Sequence, residues 1–237
     1  MNLLYNFFLF LIFTFFLINC QSEQVIYYVK VNSIGESTEF KKYFLLPGNK
    51  DTSVDDLQFK EFADYIHRAL QNNGFIPVNK MNDADIAVIF TYAIGDPKEN
   101  QYSYNVPVWG QTGVSSSSTY GKLNSSGNYS SNTYNTPSYG ITGSTTHVGS
   151  YITYKRFMNI EAIDMKKYLS LKKVILVWKT SVSSEGYSAD LRRVLPVMVV
   201  GASPYLGKNS GNLIEINILE DDRRIQEIKG LQKPENE

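Results

Sequence analysis

The chain opens on an apolar run. From Leu3 to Ile18 only Asn6 and Thr14 are polar. Such a run exceeds the roughly 7–15 residues of a signal-peptide core and falls short of the roughly 20 that span a bilayer. Beyond it the pattern changes to short β-prone segments. Val25 to Val31 is β-branched and aromatic and reads as a strand, and Phe40 to Leu46 reads as a second, stopped by Pro47-Gly48. From Ser53 to Asn73 the period switches to that of a helix. Phe59, Phe62, Ala63, Ile66, Ala69 and Leu70 form one stripe, Ser53 stands as a cap, and Gly74 follows the end. Asp85 to Ile94 is apolar on both alternating sets, which suits a strand covered on both faces.

Residues 98–149 break this order. They are rich in Ser, Gly, Asn, Thr and Tyr and poor in charge, and Ser115 to Ser118 is a run of four serines. An unstructured loop of this length is unusual inside a compact domain unless it is functional or disordered. Tyr102, Tyr104, Val106 and Val108 alternate with Ser103, Asn105 and Pro107, the pattern of one arm of a hairpin. Tyr120, Tyr129, Tyr134 and Tyr139 are candidate binding residues, because exposed Tyr among Ser, Gly and Asn is the composition of adaptable recognition loops.

After the insert, Tyr151 to Asp164 reads as a strand followed by a turn through Lys166-Lys167, and Lys173 to Ser181 reads as another strand. Asp164 suits the turn, where its carboxylate accepts backbone N–H bonds, and Trp178 is expected at a sheet edge with its N–H paired. A second helix starts at a Ser188 cap and carries the stripe Leu191, Val194, Leu195, Met198, Ala202 and Tyr205; Pro196 lies inside it and should kink it or delay its start. Leu213 to Leu219 alternates as a late edge strand, and a charged C-terminal tail runs from 221 to 237. The expected fold is therefore α+β, a mixed α/β arrangement. Its sheet is mostly antiparallel, with two amphipathic helices on one face and the long Ser/Gly/Tyr-rich insert. The domain spans 25–220, with a flexible insert at about 98–149.

Cys20 is the single cysteine and closes the apolar leader. Leu17-Ile18-Asn19-Cys20 resembles the lipobox of bacterial lipoproteins, with Asn19 where a small residue is usual and no Lys or Arg in Met1–Asn6. That resemblance implies a signal peptide over 1–19, a lipidated tether over 20–24 and acyl attachment, palmitate included, at Cys20. Gln21 leans, by the same resemblance, toward the outer membrane. Phe157-Met158-Asn159-Ile160-Glu161-Ala162-Ile163-Asp164 followed by Val174-Ile175-Leu176-Val177-Trp178-Lys179-Thr180 is similar to a bacterial envelope lipoprotein family built on a domain of unknown function, and so is Asp83-Ala84-Asp85-Ile86-Ala87-Val88 after Gly74-Phe75. The family implies a periplasmic location and a mixed α/β fold with helices on one sheet face. It supplies no activity and no catalytic residue.

The remaining chemistry is sparse. The formal net charge is zero, with no long basic run, so no nucleic acid is expected as a partner. One cysteine excludes an internal disulfide and a Cys-based metal site. Asp83 and Asp85 lie two apart and suit a strand start better than a cation; His67 falls at the edge of a helix stripe; no nucleophile elbow or phosphate loop occurs. No cofactor, metal or catalytic residue is expected. The functional reading is a membrane-anchored envelope lipoprotein that docks a protein partner. The alternatives are a glycan or peptidoglycan binding module and a hydrolase of unseen type resting on Asp164, Glu185 or His147. If Cys20 is the attachment site, mass spectrometry of the mature protein will find an amino-terminal cysteine carrying a diacylglyceryl adduct; a mature chain that starts elsewhere or keeps the leader would refute it.

Overall fold

The computed structural model describes residues 24–36, 39–123 and 125–231; the leader and Cys20 lie outside them. The described chain separates into two compact units, residues 24–97 with 154–231, and 98–153.

The first unit is a mixed α/β domain with a mostly antiparallel sheet. Its strands are β1 (Ile26–Gly35), β2 (Lys42–Pro47), β3 (Ile76–Pro77), β4 (Ile86–Ile94), the 154–164 end of β6 (Tyr129–Asp164), β7 (Leu176–Gly186) and β8 (Ile214–Leu219). They lie in the order β3-β2-β4-β6-β7-β1-β8. β2 runs parallel to β3 and to β4, and every other pairing is antiparallel. The parallel pairings follow from connectivity, because a helix carries the chain from the end of β2 back to β3 beside its start, and β4 then begins at that same end.

Four helices occur among the described residues: α1 (Leu57–Asn72), α2 (Met165–Leu171), α3 (Leu191–Ala202) and α4 (Arg223–Lys229). The stripe read on α1 is buried as expected, with Phe62, Ile66, Ala69 and Leu70 shielded from solvent. Its cap is Asp56 and not Ser53: Asp56 Oδ1 accepts the Phe59 N–H at 2.8 Å, while Ser53 Oγ accepts from Asp55. α3 is capped by Asp190, which accepts the Arg192 N–H at 2.9 Å, and not by Ser188. In both cases an acidic residue closer to the apolar stripe takes the orphan N–H groups of the first turn. α3 runs through Pro196 to Ala202 and continues as a 3-10 turn over Ser203–Tyr205.

α1, α3 and α4 bury their apolar residues in one cluster with one set of alternating sheet residues, among them Val29, Val31, Tyr43, Val88, Phe90, Met158, Ile160 and Trp178. The segment from 221 is not all tail. Ile225 and Ile228, three apart on α4, enter this core. The turn expected after Asp164 is α2: Asp164 accepts the Lys167 N–H at 2.9 Å, and Met165 packs with Ala84 and Ala87 in a small separate cluster. Two helices were thus legible as stripes, and the two seven-residue helices were too short to show a period.

Trp178 corrects a further expectation. It sits on β7, an inner strand, 1% exposed, and its indole N–H has no partner among the described atoms. Gly35 lies beside it, where a Cβ would come 2.5 Å from the Trp178 Cβ. Nearby, the buried Ser33 hydroxyl is 2.7 Å from the Thr180 hydroxyl and 2.9 and 2.8 Å from the carbonyls of Tyr205 and Lys208. These contacts tie β1 and β7 to the end of α3.

His67 is half-buried on α1, and its Nδ1 lies 2.7 Å from the Tyr43 hydroxyl. Burial lowers its pKa below the ordinary 6.5, against a smaller opposing pull from Asp64. The unfolded chain therefore binds more protons than the folded one just below that value, so this contribution to stability is present above about pH 6.5 and is lost as pH falls. Urea unfolding at pH 7 and pH 5 is expected to show a smaller loss of stability for His67→Gln than for wild type; an equal loss would show that His67 is not held neutral by burial.

Candidate functional site

The second unit is one hairpin, β5 (Lys98–Leu123) against the 129–153 part of β6, joined through a turn containing Gly127. Gly127 has φ +82°, a left-handed conformation that a side chain would strain. The ribbon has no core: nearly every side chain in it is exposed. Two-stranded ribbons are marginal in water, so cross-strand pairs matter here. Thr119 and Thr133 hydroxyls meet at 2.9 Å, Ser117 donates to Asn135 at 2.7 Å, and Thr146 donates to Asn105 at 2.8 Å.

Aromatic residues form two groups. Near the base, Tyr102 stacks on Tyr104 with centroids 5.9 Å apart, Tyr104 stacks on His147 at 5.7 Å, and Tyr151 lies 6.1 Å from Tyr102. Tyr102 covers Gly149, where a Cβ would come within 2.6 Å of its ring. Farther out, Tyr120 and Tyr134 form an edge-to-face pair at 6.3 Å. With Lys122, Ser130, Ser131 and Asn132 they line an open concavity of about 490 Å³.

The four tyrosines singled out in the sequence are all exposed, but they do not share a surface. β6 is regular from 129 to 141, so Tyr134 lies on one face and Tyr129 and Tyr139 on the other. Trp109 is opposite Ile141, and Gln111 is opposite Tyr139. Register shifts then leave Thr112 and Ser115 as extra residues on β5, so Val114 comes opposite Pro137. The bulge at Thr112 moves Val114 onto the face of Trp109, Tyr139 and Ile141, since one extra residue reverses the alternation. Trp109 (68% exposed), Tyr139 (69%), Ile141 (61%) and Val114 thus form an apolar row in water. Sequence reading missed this row because the alternation of β5 alone sends Val114 to the opposite side; the signal available was the isolated Trp109 and Ile141 in a Ser/Gly/Thr-rich stretch.

The acid–base candidates do not assemble. Ser144 and His147 are three apart on a strand and face opposite sides, and His147 is part of the aromatic stack. Asp164 and Asp190 cap helices. Asp85 accepts the Lys42 N–H at 3.1 Å, clipping the start of β2. Among the described residues no three His, Cys, Asp or Glu side chains gather as a metal site would need. In the first unit, a cleft of about 550 Å³ is lined by Glu61, Tyr65, Asp190, Arg192, Arg193 and Lys229. Within it Arg192 bonds Glu61 at 3.1 Å, while Arg193 bonds Glu220, outside the lining, at 2.7 Å.

Arg156 is the notable buried charge, 1% exposed. Nη1 donates to the Ser188 carbonyl and Nη2 to the Ser184 hydroxyl, both at 3.0 Å, while Nε has no partner among the described atoms. Burial lowers its pKa, with Tyr27 and Glu185 acting in the opposite direction.

No family model matches the chain, and no curated protein does. Among solved structures it is similar to one described as a PDZ domain protein from Parabacteroides distasonis, with 10% identity and a TM-score of 0.36, over 83% of this chain and 39% of that one. The chain thus spans well under half the length of that protein, and so distant a likeness carries no argument here. No described helix is long and apolar enough to cross a membrane.

Removing one side of a buried hydrogen-bonded network leaves the other side unsatisfied, at about 1–3 kcal/mol. Arg156→Met is expected to lower the unfolding free energy by about 1–3 kcal/mol, because the Ser188 carbonyl and the Ser184 hydroxyl lose their donor, and Arg156→Ala should lower it further through the cavity left behind. No loss in Arg156→Met by urea unfolding would mean that the guanidinium's hydrogen bonds add nothing to stability.

Proposed function

We propose that this protein is a lipoprotein of the bacterial cell envelope, anchored to the outer membrane through acylated Cys20, and that its α+β domain carries the hairpin as a docking arm for a protein partner. The carrying observation is the apolar row of Trp109, Val114, Tyr139 and Ile141 on one face of the ribbon. An exposed contiguous apolar patch marks an interaction surface more often than chance, and an exposed Trp is the side chain most often found to dominate a protein interface. The ribbon is poor in charge, with Lys98, Glu99 and Lys122 alone, so few ionised groups lose water when it is covered. The first unit has a continuous core of its own.

A second reading rests on the other face. Tyr120 and Tyr134 beside Lys122, Ser130 and Asn132 combine aromatic rings with hydrogen-bonding groups around the concavity, the chemistry that fits a glycan such as peptidoglycan. In cells, a photoreactive amino acid at position 109 is expected to give a discrete covalent adduct with another protein, and the same group at Asn32 none. Trp109→Ala should weaken the captured complex by about 2 kcal/mol, roughly 30-fold in Kd. No adduct at 109, together with binding to purified sacculi that is lost in Tyr120→Ala, would replace the first reading with the second.

A further inference from the structure

The hairpin also has edges, and these carry a separate inference. β5 pairs only with β6, and over 129–153 β6 pairs only with β5. Each strand therefore presents an outer edge to which no described strand pairs. Proteins commonly guard such edges with charge, proline or bulges. Here no Asp, Glu, Lys or Arg occurs from Asn100 to Gly121 or from Leu123 to Tyr154. The half nearer the base is guarded by other means: Pro107 and Pro137 each remove a donor, and the register shifts fall between Val108 and Ser116. The outer half has neither. From Ser116 opposite Thr136 to Leu123 opposite Tyr129 the register is unbroken, without proline or bulge, and Lys122 is its one charge.

We propose that this outer stretch pairs with the same stretch of a second copy, β5 of one chain beside β6 of the next, in the antiparallel register that each hairpin already uses. In an antiparallel ladder the residues that do not bond inward point their N–H and C=O groups outward. Residues facing one another inside a hairpin therefore point outward together, and they meet as a bonded pair when a neighbour adopts the same register. Every cross-strand neighbour at the new contact is one the ribbon accepts internally, including Thr119 with Thr133 and Ser117 with Asn135. With one charge, no proline and no bulge, the stretch carries few of the features that oppose pairing with itself. Lys122 of successive copies would stand two strand spacings apart, about 10 Å, a distance over which physiological salt screens them. The contact is head-to-tail, so each added copy leaves one edge open and the assembly extends or closes into a ring. This inference concerns strand edges and does not depend on partner docking through the apolar face.

The test uses two preparations of the full-length chain in a Cys20→Ser background, one with Thr119→Cys and the other with Thr133→Cys. A short bifunctional thiol reagent is expected to give at least fivefold more cross-linked dimer in the mixture than in either preparation alone. Equal or greater linking within one preparation would mean like strands pair, which overturns the arrangement. No linking, with a monomer by light scattering at high concentration, would overturn self-pairing. Unchanged melting of both variants shows that either result concerns folded protein.

Discussion

The enclosure of α3 is the constraint on which the first unit depends. From Val194 to Ala202 every residue is buried, including Pro196 and Gly201. A helix apolar on all sides cannot lie on a surface; it must be covered from every direction. β1, β7 and β8 lie against it on one side, and α1 and α4 flank it. Gly201 permits the approach, since a Cβ there would come 3.0 Å from a Val29 methyl. This explains why a charged, tail-like segment folds: α4 has only two buried residues, but without Ile225 and Ile228 one flank of α3 would meet water. Just past α3 the buried Ser33 hydroxyl lies within hydrogen-bonding distance of the Tyr205 and Lys208 carbonyls, one of which can receive its single proton.

The hairpin obeys a different physics. It buries almost nothing, and its order rests on ladder bonds, hydroxyl pairs and ring stacking, each individually small. Elements of this kind sit at the low-stability end of a protein and are also where binding surfaces concentrate. Its composition is consistent with that role. From Asn100 to Tyr154 Lys122 is the single charge, while Trp109, Ile141 and the tyrosines stand in solvent without a core to justify them. In the first unit some exposed charges pair, as Lys30 does with Glu215 and Lys179 with Glu161, both at 2.6 Å.

Several elements were legible because each carries its own period. α1, β1, β4 and the start of β5 follow from spacing alone, and the two-sided burial read for β4 holds for Ile86, Ala87 and Val88. Capping was legible only in kind: both main helices begin at an acidic residue, but which one depends on where the first buried turn falls. Trp178 was misplaced because an edge and an inner strand of similar composition differ only in their neighbours.

Local periodicity determined which segments became helices and strands, since an amphipathic stripe or an alternation is a property of the residues in order. The charge-poor, tyrosine-rich insert was equally visible in composition. Tertiary structure alone decided the rest. Strand order set Trp178 inside the sheet, the need to cover α3 recruited α4, and two bulges chose which side chains share a face of the hairpin. Each of these depends on what lies across from a residue, and that is fixed by long-range pairing and not by its neighbours in the chain.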